Sequence, residues 1–470
     1  MSLAPPPLDL TRLRAAYARG LSPVTLVERL LAGIEARGDD GVWISRVPKP
    51  KLLARARELA ALPRFERERL HLFGVPFSVK DCIDAAGLPT TSACPAYAYQ
   101  PERSNLAVER LVRAGAILVG KTNMDQFATG LNGTRTPYGI ARNPFDAAYI
   151  PGGSSSGAAV SVAAGLVSFA LGTDTGGSGR VPAAFNNVVG LKPTRGRLSG
   201  IGVVPACRSI ETVSVFALTA PDALAVLDIA EEFDVDDPFA RLPGRGKPIL
   251  DQGFRVGVPH DPAFFGDAGA RALFLEGIDT LAALGGQVRT VDYAPFAALN
   301  ELLFNGPWLA ERYGALAEFI DNAPDGVLPL TRDILLGGRR FSGADVFAGL
   351  RHLLQQRREI ETLWREIDVL VVPTTPTIYR IDEMLADPLV LNARLGTYTS
   401  FVNFADLAGV AVPNGFLPNG LPQGVTLLAP AWSEPALTRL ADRFHRARGV
   451  PLGATGAAHP DIPLAERESA

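Results

Sequence analysis

Apolar positions along this chain follow two rhythms. Val24, Val27, Leu31 and Ile34 recur at helical spacing behind Ser22 and Pro23, an N-cap and first-turn pair, so two short helices are predicted over residues 9–38. VWISRVP (residues 42–48) reads as a strand, and a charged helix follows from Lys51 to about Leu62, where Pro63 stops it. LFGVPFSVKD (72–81) runs apolar as a strand does and carries Lys80 near its end. A helix over residues 105–114 then feeds the strand AILVGKTN (116–123). Strand, helix and strand at this spacing predict a βαβ unit in an α/β fold.

MDQFATGLNGTRTPYG (124–139) is a loop-rich connection, residues 156–165 form a helix of small residues, and LVSFALGTD (166–174) returns as a buried strand. Beyond Leu191 the pattern is mixed, and residues 236–253 read as a surface connector. FRVGVP, GQVRTVDY, DVLVVPTTPT and QGVTLLAP are further strands. Helices are predicted over 269–284, through a long region to Leu350, and over 435–448. No linker divides the chain, so a single domain over residues 1–450 is expected, with a frayed tail over 451–470.

Composition narrows the partners. With 470 residues, 47% hydrophobic, 20% charged and a net charge of -3, the chain has the makeup of an ordinary globular protein with a large core. No basic surplus points to nucleic acid. The longest apolar stretch, 158–171, is broken by Ser161, Gly165 and Ser168 and is too short to span a bilayer. The N-terminus lacks the pattern of a signal peptide. Cys82, Cys94 and Cys207 show no metal-ligand spacing and no disulfide framework, which fits reduced thiols in the cytoplasm.

The chemistry concentrates in two Gly/Ser knots, PGGSSSG (151–157) and TDTGGSGR (173–180). Successive N–H groups in such turns make a concavity that holds an anion or a developing oxyanion. Residues 153–157 formally match the nucleophile elbow of the α/β-hydrolases, but the strand which that elbow requires is poorly represented by AAYIPGG. Ser178 has the better context, a buried strand running into a Gly-rich turn, with the N–H groups of Thr175, Gly176, Gly177 and Ser178 close to it. As tight turns alone, the two knots would carry no chemistry. A nucleophilic serine needs a base. None of the five histidines lies between residues 72 and 259, although a distant one could fold in. Lys80 is the alternative, because a buried lysine can act as a neutral base.

FGVPFSVKD, PGGSSSGAAVSVAAGL, GTDTGGSGRVPA and GLKPTRGR together resemble the amidase signature family, over most of the chain. The resemblance implies an amidase-signature fold, a mixed central β-sheet covered by helices on both faces. It also implies a catalytic set of Lys80, Ser154 in a cis peptide, and the nucleophile Ser178. The oxyanion would rest on the N–H groups of Thr175, Gly176, Gly177 and Ser178, with Asp174 and Arg180 supporting the loop. No metal or organic cofactor is implied.

MDQFATGLNGTRTPYG, FNNVVGLKPTRG, VVPACRS and LGTYTSFVNFADLAGVAVPNGF are more similar to the allophanate hydrolase branch than to other branches. That resemblance implies substrate contacts from Gly130 and from a Tyr–Arg pair eight residues apart. Arg312 is present, but Phe304 stands at the Tyr position, and Cys82 stands where an Asn follows the Lys-Asp pair. Loss of one hydrogen bond to an anionic substrate costs roughly 1.5–3 kcal/mol. The implied reaction is hydrolysis of allophanate with release of ammonia in urea breakdown. The alternatives are another small urea-like or carboxylated amide, such as guanylurea or biuret, and the amidase subunit of an amidotransferase. A homodimer is implied by resemblance alone. The accessory C-terminal domain of many allophanate hydrolases is expected to be absent.

Overall fold

The computed structural model describes residues 8–461. Its frame is one sheet of eleven strands in the order β1-β3-β2-β4-β6-β5-β10-β11-β9-β7-β8. The strands are β1 (Trp43–Arg46), β2 (Pro76–Lys80), β3 (Ile117–Thr122), β4 (Phe169–Asp174), β5 (Val189–Lys192), β6 (Thr212–Ala217), β7 (Arg255–Pro259), β8 (Gln287–Val291), β9 (Val369–Pro373), β10 (Leu407–Phe416) and β11 (Pro422–Pro430). β2 pairs in parallel with β3 and β4, and β7 in parallel with β8 and β9. The six strands from β4 to β9 in that order are joined by antiparallel pairings. The sheet is therefore mixed, and the fold is α/β.

Both faces are buried. Along β4, Phe169 and Leu171 join one hydrophobic cluster while Ala170 between them joins another. Along β9, Val369 and Val371 separate from Leu370 and Val372 in the same way. Period-2 side-chain alternation thus puts apolar groups on each face, and helices cover both. The helix Ser156–Ala163 is buried along its whole length, and its small side chains let it lie close against the sheet. The helix Ala220–Ala230 begins with Thr219 accepting from the N–H of Asp222, an N-cap that fixes its start over β5 and β6.

Three central strands fall where the sequence pattern looked mixed: β5, β6 and β10. They are buried along their length except at Phe416, and β5 and β10 show neither alternation nor a long branched apolar run. The tail is a second correction. Residues 451–461 are docked rather than frayed: Asn187 Nδ2 donates to Pro451 O at 2.7 Å and Gly453 O at 3.0 Å, and Ala454 N donates to Ala163 O at 2.9 Å. The rest of the tail, 462–470, lies outside the described residues. Among the described residues, no helix is long and apolar enough to cross a membrane.

Candidate active site

Lys80 is the last residue of β2, and Ser178 follows β4, the parallel neighbour of β2. In that register Val79 lies beside Leu171, so the lysine emerges next to Gly172 and Thr173. Its Nζ donates to Thr173 Oγ1 and to Ser154 Oγ, each at 2.8 Å. Ser154 Oγ in turn donates to Ser178 Oγ at 2.8 Å. Lys80, Ser154 and Ser178 are all buried, and the Gly153–Ser154 peptide is cis. Among the described residues Lys80 has no ion pair; hydroxyls surround its amine.

The first knot is anchored from the side. Gly153 N donates to Leu131 O at 2.9 Å, and Asp125 N donates to Ser154 O at 3.1 Å. Ser155, the centre of the elbow-like pattern, donates its hydroxyl to Thr173 O at 3.2 Å and takes no place in the file.

Asp174 organises the second knot. Its Oδ1 accepts from Gly177 N at 2.9 Å and Arg180 Nη2 at 2.9 Å; its Oδ2 accepts from Gly179 N at 3.0 Å and Arg180 Nε at 2.8 Å. Burial alone would push this carboxyl up, but the Arg180 guanidinium outweighs it and holds Asp174 below the ordinary carboxylate range. From the other side, Asn403 Nδ2 donates to the carbonyls of Asp174 and Thr175 at 2.7 and 2.9 Å, and Thr399 Oγ1 donates to Gly176 O at 2.5 Å. Gly177 has φ +124°, and a Cβ there would meet Thr399 Cβ at 2.6 Å, so this position requires glycine.

That clamp engages one of the N–H groups expected for the oxyanion hole. The N–H of Gly177 donates to Asp174 Oδ1. The N–H groups of Thr175, Gly176 and Ser178 have no acceptor among the described residues, and they remain the available donors.

The implied substrate contacts occupy the adjoining walls. Gly130 sits where a Cβ would meet Asp125 Oδ2 at 2.8 Å, and Asp125 is the residue bonded to Ser154. Arg312, on the helix Trp308–Gly314, is buried and makes no ion pair with the described residues. Its Nε is fully enclosed without a partner. Beside it, burial pushes the Cys207 thiol up to about 12, with Arg312 acting in the opposite direction. Phe304 ends the helix Ala294–Phe304, and its ring shares with Leu131 the space left by the missing side chain of Gly396. The preceding Leu303 packs on Gly176. Phe304 also borders a cavity of about 340 Å³ lined by Tyr293, Asn305, Thr397 and Tyr398.

Sequence reasoning did not single out Thr173, Asp125, Arg135, Glu211, Thr399 or Asn403. Glu211 is buried, accepts from Ala206 N at 2.6 Å, and has its carboxyl raised by burial against the opposing influence of Lys80. Thr173, Asp125, Arg135, Thr399 and Asn403 all lie within motifs already quoted, but the contacts of Thr399 and Asn403 with the turn span more than 200 residues and have no local signal.

Comparison with known proteins agrees with this architecture. The chain is similar to urea amidolyase of Saccharomyces cerevisiae, 42% identical over 423 residues, which is 89% of this chain and 23% of that protein. It spans only about a quarter of the length of that relative. It is 33% identical to one subunit of the glutamyl-tRNA(Gln) amidotransferase of Acidobacterium capsulatum, covering 92% of this chain and 97% of the other. Among solved structures, allophanate hydrolase of Kluyveromyces lactis superposes with a TM-score of 0.91 at 39% identity, covering 97% of this chain and 76% of that one. The profile of the amidase family matches residues 25–438. With nearly the whole described chain inside that match, and the expected sheet beneath it, the chain belongs to the amidase family.

Proposed function

We propose that this protein hydrolyses allophanate, releasing ammonia, through an acyl-enzyme on Ser178. The observation that carries the chemistry is the file Lys80 Nζ, Ser154 Oγ and Ser178 Oγ, spaced 2.8 Å apart and buried beneath a turn with three uncommitted N–H groups. Ser178 passes its proton to Ser154 as Ser154 passes its own to the Lys80 amine, and Ser178 Oγ attacks the terminal amide carbonyl. Negative charge on the carbonyl oxygen is met by the N–H groups of Thr175, Gly176 and Ser178. The C–N bond breaks as the proton returns from Lys80 through Ser154 to the leaving nitrogen, and ammonia departs. Water, deprotonated along the same file, cleaves the ester and restores Ser178. The product, a carbamate carrying a second carboxylate, then loses carbon dioxide.

The substrate reading is supported by the relatives and by Arg312, a buried guanidinium without a counter-ion among the described residues, which suits a carboxylate. Phe304 favours a second reading, a carboxylated amide that needs one hydrogen bond fewer. The three buried, unpaired thiols support a cytoplasmic location.

The test is steady-state ammonia release from fresh allophanate, beside guanylurea and biuret. Ser178→Ala should abolish release, and Ser154→Ala should reduce it by about 100-fold or more, the scale of a lost proton-transfer group. Full activity in Ser178→Ala would overturn the mechanism. Turnover only of another amide would replace the substrate. Activity only in a purified complex with a partner would favour the amidotransferase reading.

A further inference from the structure

Four arginines are buried in the described chain: Arg135, Arg180, Arg197 and Arg312. Two of them hold carboxylates, Arg180 through Asp174 and Arg197 through Asp228, Glu231 and Glu434. Arg135 and Arg312 have no ion pair among the described residues, and Arg312 is near enough for its charge to act on that of Arg135. Burying a guanidinium without a counter-ion is costly, and burying two together is more so. Such an arrangement points to an anion supplied from outside the chain.

We infer that Arg135 is a specificity-determining residue: with Arg312 it makes a two-guanidinium seat that favours a carboxylated amide over its neutral isostere. This rests on the allophanate reading and deepens it. Arg135 closes the loop that carries Gly130. Its Nη1 donates to Thr129 O at 2.9 Å and its Nη2 to Pro388 O at 2.7 Å, both neutral carbonyls that orient the guanidinium without cancelling its charge. Its Cδ would lie 3.3 Å from a Cβ on Gly130. Its Nε is enclosed and has no acceptor, as is the Nε of Arg312. Asp125 is the acidic group beside Arg135; it accepts from the N–H groups of Arg135 and Gly133 at 2.9 and 3.0 Å. Burial pushes the Asp125 carboxyl up, and Arg135 opposes that shift, so one carboxyl at most stands against two guanidiniums. The surplus is positive and lies beside Gly130, on the loop whose Asp125 is bonded to Ser154. The selected class is a small amide whose far end is a carboxylate or N-carboxylate.

Allophanate and biuret differ by an oxygen anion in place of an amino group, so they isolate the charge. Their dissociation constants should be measured by calorimetry on the full chain carrying Ser178→Ala, alone and with Arg135→Met or Arg135→Lys. Arg135→Met should weaken allophanate by about tenfold to 100-fold, the scale of a charge-assisted contact, and biuret by less than about threefold. Arg135→Lys, which keeps the charge, should restore the preference for the anion to within about fivefold of the parent. Equal weakening of both ligands, or an unchanged ratio, would overturn the inference and leave Arg135 as a loop brace. Should Arg135→Met not fold, Arg135→Lys decides: loss of anion preference with the charge retained counts against the seat. Ammonia release by the protein with Ser178 intact is run in parallel. No release from allophanate, with the binding preference intact and dependent on Arg135, would remove the substrate reading and keep the seat.

Discussion

Asp174 and Arg180 have no exposed surface, and the carboxylate accepts four hydrogen bonds, two from the guanidinium and two from the backbone of the catalytic turn. Asp174→Asn keeps the shape and removes the charge, leaving Arg180 buried against one neutral amide oxygen and Thr399 O at 2.9 Å. Breaking one side of a buried pair costs about 3–5 kcal/mol. Domains are commonly stable by about 5–15 kcal/mol, so this substitution removes a large part of the total. The assay is urea unfolding followed by the fluorescence of the four tryptophans, with Arg180→Met and the double variant alongside. Because the double variant leaves no orphaned charge, it should lose less than the sum of the two singles, by about 2 kcal/mol or more. The pH dependence has a definite sign. Arg180 holds the folded carboxyl below its unfolded value of about 3.9, so the pair's contribution is fully present above that value and is lost as pH falls through the lower folded one. The gap between wild type and Asp174→Asn should therefore close in strong acid, below about pH 3.9. A single-variant loss under about 1 kcal/mol, or simple additivity in the double variant, would refute the account.

Two further outcomes are expected. Phe304→Tyr puts a hydroxyl on a ring beside Leu131 and Gly396, and it should raise kcat/KM for allophanate by about tenfold or more, the value of one hydrogen bond to a charged group, without gain for biuret. An unchanged ratio would make Phe304 a packing residue. Asp222, at the head of the helix Ala220–Ala230, has its carboxyl pushed up to about 7 by burial while it accepts from Leu10 N at 3.1 Å. A raised folded value means that stability is greatest below about pH 3.9 and is lost as pH rises toward 7. Asp222→Asn should thus be more stable than wild type at pH 8, by about 1–3 kcal/mol, with the difference shrinking toward pH 4. Equal urea midpoints at both pH values would contradict this.

The parts of the fold legible in the sequence are those whose apolar run has a clear edge. β2 announces itself because VPFSV is apolar until Lys80, and β4 because LVSFAL ends in Gly172. β5, VGLK, is four residues long, and β10 contains two glycines and a proline; both are central because their neighbours bury them, a tertiary fact with no local trace. The catalytic turn is legible as a turn, but which of its N–H groups stay free depends on Asp174 capturing Gly177 and Gly179. Arg135 lies in a quoted motif, but its burial has no local signal, because an arginine in a polar loop is ordinarily solvated, and only the carbonyls of Thr129 and Pro388 show it to be enclosed.

The position of Lys80 follows from strand direction. β2 and β4 run parallel as neighbours, so their carboxyl ends open on the same edge of the sheet, where α/β folds place their ligands. One end supplies an amine and the other, a few residues on, supplies the turn with Ser178. The knot holding Ser154 enters between them because the helix that follows it, Ser156–Ala163, is made of residues small enough to lie against β2, β3, β4 and β6. Larger side chains there would push the helix away from the sheet and open the 2.8 Å steps of the file. The run of Ala, Gly and Ser between the two knots is thus a packing requirement of the Lys80–Ser154–Ser178 file, although none of the helix's side chains is part of it.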